Sequence, residues 1–139
     1  MANTLQFDLV SPERLLLSEQ VEMVVVPGTE GNFGVLPGHS LLISTVRPGL
    51  IEIYEGGKVK DRIFVAGGFA EVNPERCTVL ADEAVALPDL NRAVLEGEAR
   101  EIEARLNAAQ DEDERNMCRR LLAVIDAKLT ALGTIAQAH

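Results

Sequence analysis

The chain has no tryptophan, a single tyrosine, two cysteines and two histidines in 139 residues, and its 13 Lys and Arg are outnumbered by 22 Asp and Glu. Each scarcity excludes something. With no Trp and only Tyr54, there is little to stack on a sugar ring. A formal net charge of −9 argues against nucleic acid and anionic lipid surfaces, which attract Lys/Arg-rich faces, and points to neutral or basic partners. Cys77 and Cys118 lie far apart, with no C-x-x-C and no neighbouring His, so neither a zinc site nor a disulfide scaffold is indicated; both read as small buried apolar residues. His39 is the only internal histidine and His139 ends the chain, so no Ser-His-Asp or Cys-His arrangement can be assembled, and no metal site. His39 reads as a turn or interface residue, and Asp82-Glu83 as a solvated strand end rather than an acid-base pair. No apolar run approaches the roughly 20 residues of a membrane span, and Met1 to Gln6 shows neither the basic nor the apolar region of a signal peptide. The expectation is a soluble, non-secreted protein without catalytic or metal chemistry of its own.

What is present divides in two. All six prolines lie at or before Pro88, nine of the eleven glycines at or before Gly68, and every aromatic residue in the first half, which sets a boundary between residues 1–86 and 87–139. Before it, short alternating or β-branched runs such as Leu5-Phe7-Leu9, Val21 to Val26 and Ile51 to Tyr54 are punctuated by turns at Ser11-Pro12-Glu13-Arg14, Arg47-Pro48-Gly49, Gly56-Gly57 and Asn73-Pro74. Eight to ten short strands are too many for one flat sheet of this size, so they are expected to bury their apolar faces on each other as a β-sandwich or flattened barrel. After Pro88 the period changes from two to about 3.6. Leu95, Ala99, Ile102, Leu106 and Ala109 form one helical stripe, with Glu96–Arg100 and Glu101–Arg105 spaced i,i+4 on the opposite face. Cys118, Leu121, Ile125, Leu129, Leu132 and Ala136 form a second stripe. Asp111 to Glu114 suits the start of the second helix. The second unit is expected to be an antiparallel α-helical hairpin.

The run Pro27 to His39 holds four glycines and two prolines in thirteen residues, so it reads as a shaped structural loop between two strands, followed by a strand from Leu41 to Val46. It is not a phosphate cradle, because Gly-Lys-Ser/Thr and a following helix are missing and the glycine spacing fails G-x-G-x-x-G. Gly31 and Gly34 are expected to hold backbone shapes or approaches that a Cβ would hinder.

Four segments in register resemble one family. Pro27-Gly28-x-x-Gly31-x-x-Gly34-Val35-Leu36-Pro37-Gly38-His39, Arg47-Pro48-Gly49, Gly67-Gly68-Phe69-Ala70-Glu71-Val72 and Val79-Leu80-Ala81-Asp82 occur in the order and spacing of the epsilon subunit of F-type ATP synthases, whose mitochondrial counterpart is called delta. The resemblance spans the chain, since the helical segment falls where that family has its C-terminal hairpin. It implies a non-catalytic central-stalk subunit of a proton-translocating complex, peripheral on the cytoplasmic side of a bacterial inner membrane. There the sandwich would bind the gamma subunit and rest on the loops of the c-ring. Glu30, Gly31, Asn32 and Phe33 would form the ring-contacting loop, with His39 also at the interface, although Asn32 stands where family members often carry an acid. The hairpin, through Arg115, Arg119, Arg120 and Lys128, would meet catalytic beta subunits and inhibit hydrolysis; against this stands a plain solvated basic face. Asp89-Leu90-Asn91-Arg92-Ala93 is similar to the segment through which some bacterial members bind ATP, but Pro88 replaces its leading Ile or Leu. Asp89 and Arg92 are thus either a regulatory ATP site or simply the start of a helix. No other cofactor is implied. The alternative function is a β-sandwich binding module with a helical dimerisation hairpin.

Overall fold

The computed structural model describes residues 3–137, with side chains to Gly133; the side chain of Ala136 and the whole of His139 lie outside the described residues. Two compact units follow one another, Met1–Ala86 and Leu87–His139.

The first unit contains β1 (Leu5–Val10), β2 (Leu15–Val21), β3 (Met23–Gly28), β4 (Gly31–Val35), β5 (Leu42–Thr45), β6 (Gly49–Glu55), β7 (Lys58–Val72) and β8 (Arg76–Ala86). They hydrogen-bond in the order β2-β1-β8-β7-β6-β3-β4, with β5 also on β7. The β1–β8 pairing is parallel, whereas the others are antiparallel. The 15-residue β7 makes this one path a sandwich. Its first part pairs with β6 as far as Val65, and its last part, Phe69 to Val72, pairs with β5. Between them stand Gly67 and Gly68 at φ +74° and +108°. A Cβ on Gly68 would lie 1.9 Å from the Leu80 carbonyl oxygen, so only glycine lets the two strands bend together here. Leu5, Phe7, Leu9, Val24, Val26, Ile51, Ile53, Val72 and Val79 close the core, each at most 2% exposed. At 25 cal/mol per Å² or so, their burial is the main favourable term of the unit.

The turn from Ser11 to Arg14, the Gly56-Gly57 hairpin and the Asn73-Pro74 turn form as expected. Two local readings are corrected. The run Val21 to Val26 is not one strand: it breaks at Glu22, whose carboxylate accepts the Gly56 N–H at 2.8 Å. The segment Pro27 to His39 is not a loop between strands but carries strand β4, paired back on β3 from Gly28↔Gly31 to Val24↔Val35. Glycines that punctuate a loop can equally line an edge strand, where little side-chain packing is asked of them.

In the second unit, a single 3₁₀ turn (Leu87–Asp89) precedes α1 (Arg92–Ala108) and α2 (Glu112–Gln137). The start of α1 is corrected: Asn91 is the N-cap, its side-chain oxygen accepting the Val94 N–H at 3.1 Å, and Asp89 belongs to the preceding turn. Asp111 caps α2 by accepting the Glu114 N–H at 2.8 Å, and Glu112, Asp113 and Glu114 complement its dipole. On α1, Leu95 is buried and Ala99, Ile102 and Leu106 are half-buried, as the stripe required. On α2, Leu121 is 40% exposed and Leu122 takes its place between Cys118 and Ile125. Steps of three and four both fit a 3.6 period, so two adjacent leucines leave that choice to packing.

Candidate functional site

Thr29 and Glu30 form the turn of the β3–β4 hairpin, and Gly31, Asn32 and Phe33 begin β4. Gly31 sits at φ +130°, a conformation that L side chains rarely adopt. Gly34 makes no such demand, since its φ is not positive and a Cβ would meet only Met23 Sδ at 3.6 Å. The expectation of a special backbone therefore holds at Gly31 and fails at Gly34. Asn32 accepts a hydrogen bond from the Arg47 guanidinium, while among the described residues Glu30 has no ion-pair partner and is exposed.

The hairpin turn abuts the end of β5, where the Thr29 N–H donates to the Thr45 carbonyl at 3.1 Å. His39 is at the other end. It lies in a turn where its N–H reaches Leu36 O at 3.1 Å and its Nδ1 is 2.7 Å from Ser40 O, while the Gly38 N–H reaches Pro74 O at 2.8 Å. The His39 turn thus precedes β5, whereas the Glu30 turn is bonded to its last residue, Thr45.

Between them runs the feature that sequence reasoning missed. Leu41 is 79% exposed, Ile43 74% and Phe69 45%. Thr45 pairs with Phe69 and Ile43 with Glu71, which places Ile43, Thr45 and Phe69 on one face of β5–β7. An open groove of about 610 Å³, lined by Thr29, Glu30, Ile43, Thr45 and Phe69, joins this face to the hairpin turn. β5 bonds to β7 along its length and, among the described residues, touches the hairpin turn at its end through Thr45 and Thr29, with the Gly28–Val46 bridge just beyond; the rest of its outer side is an edge carrying apolar side chains, the usual mark of an interaction site. The signal in the sequence was the alternation Leu41, Ile43, Thr45, but alternation alone does not say which face is outward.

The hairpin residues are dispersed. Asp89 and Arg92 are both exposed and lie on either side of the Asn91 cap. Arg115 is occupied within the hairpin: its Nε and Nη2 donate to Glu112 Oε2 at 3.2 and 2.9 Å, and its Nη1 to Ala109 O at 3.2 Å. Arg119 Nη1 donates to Glu112 Oε1 and Asn116 Oδ1, each at 3.2 Å. The hydrogen bond from Arg115, then that from Arg119, holds the Glu112 carboxyl below its usual range. Arg120 is exposed and Lys128 half-buried. At about 100° per residue the four cations spread around α2 rather than forming one patch.

Both cysteines are buried, and desolvation, helped by the charge of Asp8, pushes the Cys77 thiol up to about 12. Among the described residues no three His, Cys, Asp or Glu side chains converge as metal ligands, and no helix is long and apolar enough to cross a membrane.

Residues 4–87 match the family model of the ATP synthase delta/epsilon chain β-sandwich domain. The chain is 55% identical over 131 residues to the ATP synthase epsilon chain of Rhodospirillum rubrum, covering 94% of this chain and 98% of that one. It is 48% identical over 133 residues to that of Paramagnetospirillum magneticum, covering 96% and 100%. Among solved structures it is similar to a chain in the Euglena gracilis mitochondrial ATP synthase, seen as OSCP/F1/c-ring, with a TM-score of 0.81, 29% identity, and coverage of 95% of this chain and 83% of that one. A chain of the Tetrahymena thermophila mitochondrial ATP synthase central stalk/c-ring shares the fold at a TM-score of 0.62 and 12% identity, covering 91% and 95%.

Proposed function

The chain belongs to the ATP synthase delta/epsilon family, and from that premise we propose that it docks in the central stalk through its β5 edge, couples the c-ring to the catalytic head, and makes no bonds itself. The observation that carries the docking assignment is the exposed row Leu41, Ile43 and Phe69 gathered along the β5 edge of the sandwich. Covering three such side chains gives a strong, non-directional attraction, suited to a partner that must stay attached under load. The gamma subunit is assigned to this face. The hairpin turn, with Glu30, Gly31, Asn32 and Phe33, is assigned to the c-ring loops, and His39 to the far rim of the gamma contact. The chain is peripheral, held at the cytoplasmic side of a bacterial inner membrane through the complex.

The helical unit is assigned a regulatory part. Arg115 and Arg119 already bond within it, so a meeting with acidic segments of the catalytic beta subunits falls first to the exposed Arg120. ATP is the candidate regulatory ligand of Asp89 and Arg92, whose exposure leaves both side chains accessible.

Replacing Ile43 and Phe69 together by Asp tests the docking assignment. Both side chains are already exposed, so the fold is expected to survive, while capture by gamma weakens at least about tenfold, as for loss of an apolar hot spot. Capture equal to the parent, with the circular dichroism spectrum unchanged, overturns the assignment.

A further inference from the structure

The tip of the β3–β4 hairpin is gripped by a segment that docking does not require. Gly28 and Val46 form an isolated bridge, and the Thr29 and Thr45 hydroxyls lie 2.8 Å apart. Arg47 then holds both strands of the hairpin. Its main-chain N–H donates to Pro27 O at 2.8 Å, and its guanidinium reaches 15 residues back to Asn32 Oδ1. Pro27 and Asn32 are themselves register partners, so one residue spans a rung of the ladder. Space for the arginine is provided by Gly49, where a Cβ would sit 3.0 Å from both Arg47 Nη1 and Pro27 Cβ.

β4 needs such a hold. It ends the sheet path with its outer edge unpaired, and Gly31, Asn32 and Gly34 are exposed, so few buried side chains fix its position. A glycine-rich edge strand is weakly specified by packing. An exposed hydrogen bond contributes little by itself, but a charge-assisted one acting with the Thr29 and Pro27 bonds ties the tip to the β5–β6 joint.

We propose that Arg47 is a positioning residue that locks the hairpin tip, with Asn32 as its acceptor, so that load arriving at the tip passes into β5 and β6 instead of bending β4. This rests on the assignment of the tip to the c-ring. Asn32 is then engaged by Arg47, and Glu30 is the carboxylate left for the partner. An aspartate at position 32 preserves the lock, because it offers the same guanidinium an acceptor.

Hydrogen exchange on the isolated full chain tests the lock. R47A and N32A each speed exchange of the β4 amides by about threefold or more, with β1 and β2 as an unchanged internal reference. The double variant is no worse than either single, since both remove one interaction, and N32D stays at the parent rate. In the reconstituted complex, R47A lowers the ions pumped per ATP hydrolysed by about twofold, and N32D does not. Unchanged β4 exchange in R47A, or additive effects in the double variant, overturns the lock and leaves the ring assignment standing. Faster exchange with an unaltered pumping ratio shows that the tip carries no load, which overturns the proposal together with the ring assignment.

Discussion

The two units use apolar surface differently. The sandwich buries sixteen residues in one continuous cluster drawn from all its strands except β5, together with Val46 just beyond that strand. Among the described residues, the helical unit buries only Leu95, Cys118, Ile125 and Ala131. A core closed from every side holds one arrangement, because each side chain has partners in several strands. Two helices meeting along a narrow, alanine-rich stripe bury little and exchange that packing at small cost. The difference supports the proposed division of roles, in which the sandwich keeps a fixed docking face and the hairpin changes.

The contrast is sharpened most by F7A, which deletes a fully buried ring. It is expected to cost about 3–5 kcal/mol and to unfold the sandwich in a urea titration followed by circular dichroism. L95A removes one of the few buried side chains of the hairpin and is expected to cost about 2 kcal/mol, read as faster amide exchange in α1 and α2 with the sandwich unaffected. Equal melting of both units in L95A breaks the comparison. The smallest effect is in acid. Asp8 accepts from Gln6 Nε2 at 2.9 Å, Ser18 Oγ at 2.7 Å and Arg76 Nη1 at 2.5 Å, which joins β1, β2 and β8. The Gln6 bond, with those from Ser18 and Arg76 and against desolvation, lowers its pKa from 3.8. A depressed folded pKa gives stability that is present above the unfolded value and lost as pH falls through the folded one. D8N therefore flattens the loss of sandwich stability below pH 4 or so, measured by urea titrations at stepped pH, and leaves the hairpin's pH response as it was.

Much of this was legible in the residues. Proline and glycine punctuation located the turns, and the switch from period two to 3.6 located the helices. The Leu95-Ala99-Ile102-Leu106 stripe was readable because its neighbours are charged, whereas Leu121 and Leu122 gave periodicity nothing to choose between. Helix capping was misread at Asp89 because two good caps, Asp89 and Asn91, stand two residues apart, and only the backbone selects Asn91. The exposed apolar face of β5 and β7 was the larger miss. Ile43 and Phe69 are brought together by the β5–β7 register, a pairing of residues far apart in the chain that no local pattern encodes. The Arg47–Asn32 bond depends on the same kind of long-range placement.

The most direct test of the division of roles is the chain truncated after Ala86, reconstituted into a complex lacking its full-length counterpart. The sandwich is expected to stay folded, to assemble with gamma and the c-ring, and to support ion pumping, while ATP hydrolysis rises because the regulatory helices are gone. Failure to assemble, or assembly without pumping, would contradict the claim that the sandwich alone carries docking and coupling.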